Sequence, residues 1–394
     1  MVGVMVGLAA ALAGEGEAPR VTAAPGHGLT VTTADERFAI GVRARFQLRG
    51  TVVVPESDGD PEPIEGATQL STLRFWVQGH LLSKKTRYLT QFAFAQKDYR
   101  DGATSPVFDA YLDLTHSEAV SLRIGQIFVP FDRLRTIREF ALQLPDRPGV
   151  VGELTLDRDV GVYAYSDHLG GDDSIVAYRL GVFGGKGIHQ SAIGPAGALA
   201  VARLELRPLG AVDDDSEGDL ERREAPRLAI GVAAAYNWNT TRARSTTSTV
   251  FRGGTADYRH AAADVVFKWR GIAWVNEVVV RDAVDDTLES TDDNGDPRVE
   301  YTRSGWGFVS QPSYMLSDRV ELAGRYARIG AFDGTDPAFV ADAEARTNEV
   351  ALGASVYLNG HRFKVQGGVG TFFSDDLSTG PRDVTGTVLV DAMF

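Results

Sequence analysis

Arginine recurs at alternate positions in several stretches of this 394-residue chain. The recurring set is Arg43, Arg45, Arg49, Arg74, Arg123, Arg179, Arg325 and Arg362, joined by Lys364. A guanidinium keeps its proton in a protein, so these groups are not general acids or bases. What a row of them does is attract anions. Carboxylates at comparable alternate positions are fewer: Asp109, Asp113, Glu205, Glu321 and Glu349. Two readings stay open, a basic surface that receives anions and a set of internal ion pairs that only stabilises a wet interior. A second basic group, Arg133, Arg135 and Arg138, falls in the segment 131–155, which lacks alternation and also carries Arg147. Little else suggests chemistry. The seven histidines are scattered, with no His-x-x-x-His or His-Glu-x-x-His spacing. There is no nucleophile elbow and no Walker loop. Gly181–Gly187 is glycine-rich but no helical pattern follows it, so it reads as a strand end and loop. Asp292–Asp296 lacks the downstream Glu of an EF-hand and reads as an acidic surface loop. With no cysteine, disulfides and thiolate metal sites are ruled out. A net charge of −13 argues against nucleic acid as a partner. No enzyme activity, cofactor or metal is expected.

The elements that must carry the arginines are strands. From Phe38 to Val54 the even positions read Phe38, Ile40, Val42, Ala44, Phe46, Leu48, Gly50, Val52 and Val54, and the odd positions include Arg43, Arg45, Gln47, Arg49 and Thr51. Period-2 alternation of this length gives a strand with one apolar and one polar face. It is longer than strands of soluble sheets usually are. The pattern recurs around Leu73–Gln78, Phe108–Leu114, Val120–Ile124, Val160–Tyr165, Tyr178–Val182, Ala202–Arg207, Leu228–Ala234, Ala261–Trp269, Val320–Tyr326 and Val350–Leu358. Gly271–Asp282 is less clean, and Gly305–Met315 is weak, with Pro312 awkward in a central strand. Asn359-Gly360 is a hairpin signal. The last strand runs from Val384 to Phe394. Mean hydropathy is −0.13, which does not argue against a membrane protein when only alternate residues are apolar. The spacing predicts an all-β transmembrane antiparallel barrel of about sixteen strands, with long loops on one side and short turns on the other. The acidic runs Asp58–Glu65, Asp213–Glu221, Asp282–Asp296 and Asp333–Glu344 are assigned to loops.

Domain boundaries follow. Residues 1–13 read as a truncated signal peptide: an apolar stretch and the small-residue site Ala11-Leu12-Ala13, without the usual basic start. The alternative is a buried N-terminal helix. Residues 14–34 are expected to be a flexible lead-in, and 35–394 a single barrel domain with 131–155 as a candidate inward-folded loop. Phe394, an aromatic residue ending the last strand, is expected to be read by the barrel-assembly machinery.

Several stretches resemble the phosphate-selective porin O and P family. They are Ala44-Arg-Phe-Gln-Leu-Arg49, Leu73-Arg-Phe-Trp-Val-Gln-Gly79, Phe108-Asp-Ala-Tyr-Leu-Asp113 with Leu122-Arg-Ile-Gly-Gln-Ile-Phe-Val-Pro-Phe131, Arg158-Asp-Val-Gly161, Tyr178–Gly184, Val320–Tyr326 and Ala351–Asn359. The family often has Lys where this chain has Val129. The resemblance implies a 16-stranded trimeric porin of a Gram-negative outer membrane, in contact with lipid, passing small hydrophilic solutes with a preference for phosphate-like anions. With the arginines and Lys364 as pore-lining groups, the expectation is passive diffusion. The competing expectation is a non-conducting structural or adhesin-like barrel.

Overall fold

A computed structural model describes residues 18–56, 63–99, 105–170, 174–188, 194–212, 216–292, 294–376 and 380–394. Sixteen antiparallel strands close into a barrel. In chain order they are β1 (Phe38–Val54), β2 (Glu65–Leu81), β3 (Ser83–Ala93), β4 (Val107–Leu114), β5 (Ser121–Phe128), β6 (Arg158–Leu169), β7 (Val176–Phe183) and β8 (Ala198–Leu206). They continue as β9 (Arg227–Thr240), β10 (Ala256–Trp269), β11 (Ile272–Ala283), β12 (Gly305–Met315), β13 (Val320–Ala331), β14 (Asn348–Tyr357), β15 (Phe363–Phe373) and β16 (Val384–Met393). Each pairs with the next, and β16 returns to β1, with Met393 opposite Arg45 and Val384 opposite Val54. Closure satisfies the backbone polar groups that hydrocarbon cannot, which is why a barrel rather than an open sheet spans a membrane.

The alternation read from the sequence sets the two faces. Leu48, Val52, Leu204, Leu206, Ile230, Val232, Val278 and Leu352 are exposed on the outside. Arg45, Gln47, Glu205, Asp264 and Glu277 are buried inside. Outward aromatics gather near strand ends: Trp269, Trp274, Tyr314 and Phe363 on one side, Tyr236 and Trp238 on the other, as expected of interfacial girdles. Pro312 does sit inside a strand. It points outward and pairs with Trp274 of β11, while the ladder to β13 lapses at Gln311 and Pro312, where an N–H would have been needed.

Connections alternate. On the turn side, β2 and β3 are separated by Leu82 alone, and β10 and β11 by Arg270-Gly271. On the loop side the connections are longer. One carries a small hairpin (Thr287–Thr291 with Pro297–Tyr301), and another the helix Pro337–Ala345. Two turn-side features depart from the sequence expectations. Residues 20–32, expected within a flexible lead-in, form a hairpin whose second arm pairs with β1 from Ala39 to Val42. Its short, threonine-rich arms carry too little alternation to register as strands. The acidic run Asp213–Glu221, assigned with the other loops, belongs to the turn side, and residues 216–219 of it are buried rather than exposed, with Glu217 at 2% and Asp219 at 0%. Residues 1–13 lie outside the described residues.

Candidate functional site

The barrel interior is organised by the segment between β5 and β6, residues 129–157. It contains two short helices, α1 (Arg133–Thr136) and α2 (Gly149–Leu154), and a 3-10 turn at Glu139–Ala141. Asp132 caps α1 by accepting from the Arg135 N–H at 2.8 Å. One side of the segment is apolar. Val129, Phe131, Leu134, Val150, Val151 and Leu154 are buried against inward-facing Ala229, Ala233, Ala262, Val266, Val275, Val279, Val309 and Ala327. Gly307 makes room for it: a Cβ there would lie 2.3 Å from a Val150 methyl. Thus β9–β13 present a dry interior wall, and the segment lies on that wall inside the barrel.

The arginines inside this contact are paired with carboxylates. Arg133 donates from Nε to Asp264 at 2.6 Å and also binds Glu205, while the Glu277 carboxylate accepts the Arg133 and Leu134 N–H groups at 2.8 and 3.0 Å. Arg203 reaches Asp264 at 2.6 Å. Burial lifts the Asp132 carboxyl from the ordinary range to about 6, and its Oδ1 is buried without a partner. Arg133 was expected to face a permeant. It is 4% exposed and turned toward the wall, so that expectation does not hold.

The base of the segment is pinned by residues of the motif that carried the family resemblance. The Arg158 guanidinium lies 3.8 Å from the Phe108 ring centre and 3.7 Å from that of Phe128. It donates to Asp109 at 2.7 Å, and Arg138 reaches the same carboxylate at 3.1 Å. Gly125 adopts φ +142°, and a Cβ there would lie 2.1 Å from the Ala110 carbonyl, so glycine is required for β4 and β5 to approach. In this motif the sequence pattern encodes a structural pin.

Between the other face of the segment and β1–β5 lies an open cavity of about 1250 Å³. It is lined by Arg43, Arg45, Arg49 and Arg74 from β1 and β2, by Arg135, Arg138 and Arg147 from the segment, and by Arg242 and Arg244 from the β9–β10 loop. In all, eleven basic and four acidic side chains line it. Most of the arginines are committed. Arg45 donates to Asp391 at 2.8 Å. Arg74 binds Asp98 at 2.9 Å and Glu139 at 3.2 Å, and Lys97 also binds Glu139. Arg49 grips Asp146 at 2.6 Å, and Arg135 pairs with Asp157. Arg147 donates to the Leu134 and Ile137 carbonyls instead of a carboxylate. Burial, with Arg135 beside it, pushes its guanidinium down to about 10. Arg43 differs from the rest. It lies 4.9 Å from the Trp76 ring centre, its Nε has no hydrogen-bond partner, and no ion pair reaches it among the described residues.

Five other predicted residues do not line this cavity. Arg123 pairs with Asp113 at 3.0 Å among the rings of Tyr111, Tyr163 and Tyr165. Arg179 binds Asp167 at 2.7 Å, and Arg325 binds Glu349 at 2.7 Å. The Arg362 side chain packs over Gly26 of the N-terminal hairpin. Lys364 is fully buried and donates to the Leu142 carbonyl at 2.8 Å, so it too is withdrawn from any permeant. Inward orientation was readable from alternation, but the partner of each side chain was not. Sequence reasoning missed Lys97, Glu139, Asp146, Arg242 and Arg244, which sit in loops where no period marks orientation.

No family model and no curated protein matches the sequence, so the resemblance to the phosphate-selective family rests on its motifs alone. Solved structures do match. The anion-selective porin from Comamonas acidovorans superposes with a TM-score of 0.55 at 11% identity, over 91% of this chain and 100% of that one. The outer membrane channel DcaP of Acinetobacter baumannii gives 0.54 at 11% identity, over 92% and 99%. Salmonella typhi OmpF gives 0.54 at 13% identity, over 91% and 99%. At such identities the likeness is one of fold, that of the outer-membrane porins.

Proposed function

We propose that this chain is a diffusion channel of a Gram-negative outer membrane, with its long loops outward, passing small hydrophilic solutes and preferring anions. The observation that carries the reading is the cavity lining, eleven basic against four acidic side chains. An ion entering a narrow, low-dielectric bore gives up hydration, and fixed charge of one sign lowers that cost for the opposite ion. Arg43 is the group best placed to exchange with a passing anion, because no carboxylate neutralises it among the described residues. The likeness of fold to an anion-selective porin supports the same sign. No step requires covalent chemistry.

Reversal potential of the purified channel in a salt gradient tests the reading. The expected sign is that of anion preference; a cation-selective potential would reject it. A second reading, a barrel that does not conduct, is favoured by the packing of segment 129–157 across half the interior. Folded protein that never yields unitary currents would select it. Assembly as a homotrimer, and recognition of Phe394 by the barrel-assembly machinery, belong to the same proposal. A trimer is checked by the mobility of unheated protein in detergent gels, and Phe394 by the folding yield of a Phe394→Ser variant in cells.

A further inference from the structure

The turn side is built of tight connections except between β8 and β9, where residues 207–226 intervene. The flanks of this insertion are exposed, but its middle is not. Ser216, Glu217, Gly218 and Asp219 are all buried. The Glu217 N–H donates to the Ala141 carbonyl at 3.3 Å. Its carboxylate accepts the Gln143 N–H at 2.8 Å and Gln311 Nε2 at 2.8 Å. The Ser216 carbonyl accepts Lys268 Nζ at 2.6 Å, and its hydroxyl lies 2.9 Å from His361 Nε2. Asp219 accepts the Gly271 N–H at 2.8 Å, tying the insertion to the β10–β11 turn. Gly218 lets the insertion approach β13 closely: a Cβ there would lie 2.6 Å from Glu321 Oε1.

Gln143 is the other half of this contact. It is the midpoint of the segment that narrows the barrel. Its side chain donates to Glu321 at 2.9 Å, and its carbonyl accepts Ser355 Oγ and Gln366 Nε2, both at 3.0 Å. A buried carboxylate is tolerated when hydrogen-bond donors surround it. The seat of Glu217 is supplied partly by the segment and partly by β12. Neither the insertion nor the 141–143 stretch is fully satisfied alone.

We infer that Ser216–Asp219 is a latch, which holds the midpoint of segment 129–157 from the turn side, and that releasing it frees the segment and widens the bore. The widening rests on the channel reading; the latch itself does not. The test uses the full chain folded in detergent. Trypsin can cut after Arg135 and Arg138 once the segment leaves the wall; Arg147 precedes Pro148 and is not a site. Wild type should resist. Glu217→Ala should be cut within the segment roughly tenfold faster, the scale expected from losing a charged acceptor shared by two donors. Its unitary conductance should exceed that of wild type. Cleavage of Glu217→Ala at the wild-type rate would overturn the latch. If Glu217→Ala fails to reach the folded, heat-modifiable form, Glu217→Gln is judged by the same rate. Wild-type protein without currents would remove the channel reading while the proteolysis still decides the latch.

Discussion

The two halves of the barrel interior share one backbone pattern and serve different neighbours. On β1 and β2 the inward positions include Arg43, Arg45, Arg49, Arg74 and Trp76, which line an open cavity. On β9, β11 and β12 they include Ala229, Ala233, Val275, Val279 and Val309, covered by segment 129–157. Alternation therefore says which residues point inward, and residue type says whether water or protein meets them. A half-dry interior wall gives the segment a fixed seat, and a fixed seat is what lets a loop define a bore.

The contrast makes separable predictions: substitutions on the dry wall should act on stability, and those on the wet wall on selectivity. The largest effect is expected from Arg133→Ala, which leaves Glu205 and Asp264 buried without this cation, at a cost of about 3–5 kcal/mol. Urea midpoints of the barrel in lipid vesicles check it. A midpoint near wild type would mean that Arg203 suffices for both carboxylates. Phe131→Ala empties a fully buried site and should cost about 3 kcal/mol in the same measurement, with little change in ion preference at first opening.

Asp132 should add a smaller, pH-dependent effect. Its folded value near 6 lies above the ordinary one. The protonated form is the one the fold prefers, so stability present below about pH 4 is lost as pH rises through 6, at most about 3 kcal/mol. An Asp132→Asn variant, which keeps the cap, should show a flatter profile; an unchanged slope would assign the effect to other groups. Least costly to the fold is Arg43→Gln on the wet wall, under about 1 kcal/mol given its lone stacking contact. Its signature is a reversal potential displaced toward cations. A large stability loss with unaltered selectivity would dissolve the distinction between the walls.

How far the sequence foresaw this can be read strand by strand. β1 alternates cleanly because one face meets lipid and the other polar groups. Gly271–Asp282 looked irregular for a physical reason: Val275 and Val279 pack on protein while Val278 faces outward, so both faces of β11 are apolar. Arg133 and Lys364 were read as pore groups because alternation or position carries no information about partners. Gln143 and Glu217 left no signal, since two hydrogen-bonded residues 74 positions apart share no local pattern. The Phe108, Asp109, Phe128 and Arg158 set was visible as a motif, and its use as a pin emerged only when three elements met.

The N-terminal hairpin bears on how the barrel can close at all. β16 covers the edge of β1 down to Ala44, where Phe394 exchanges two backbone hydrogen bonds. From Val42 to Ala39 that edge is already occupied by residues 29–32. The hairpin thus acts as a doorstop: a last strand sliding toward the turn side meets Leu29 before it can take another rung. A slip of one rung would turn the inward side chains of the last strand, Asp391 among them, toward lipid relative to β1. Closure is left with a single terminus position, and the shear of the cylinder is fixed at the seam.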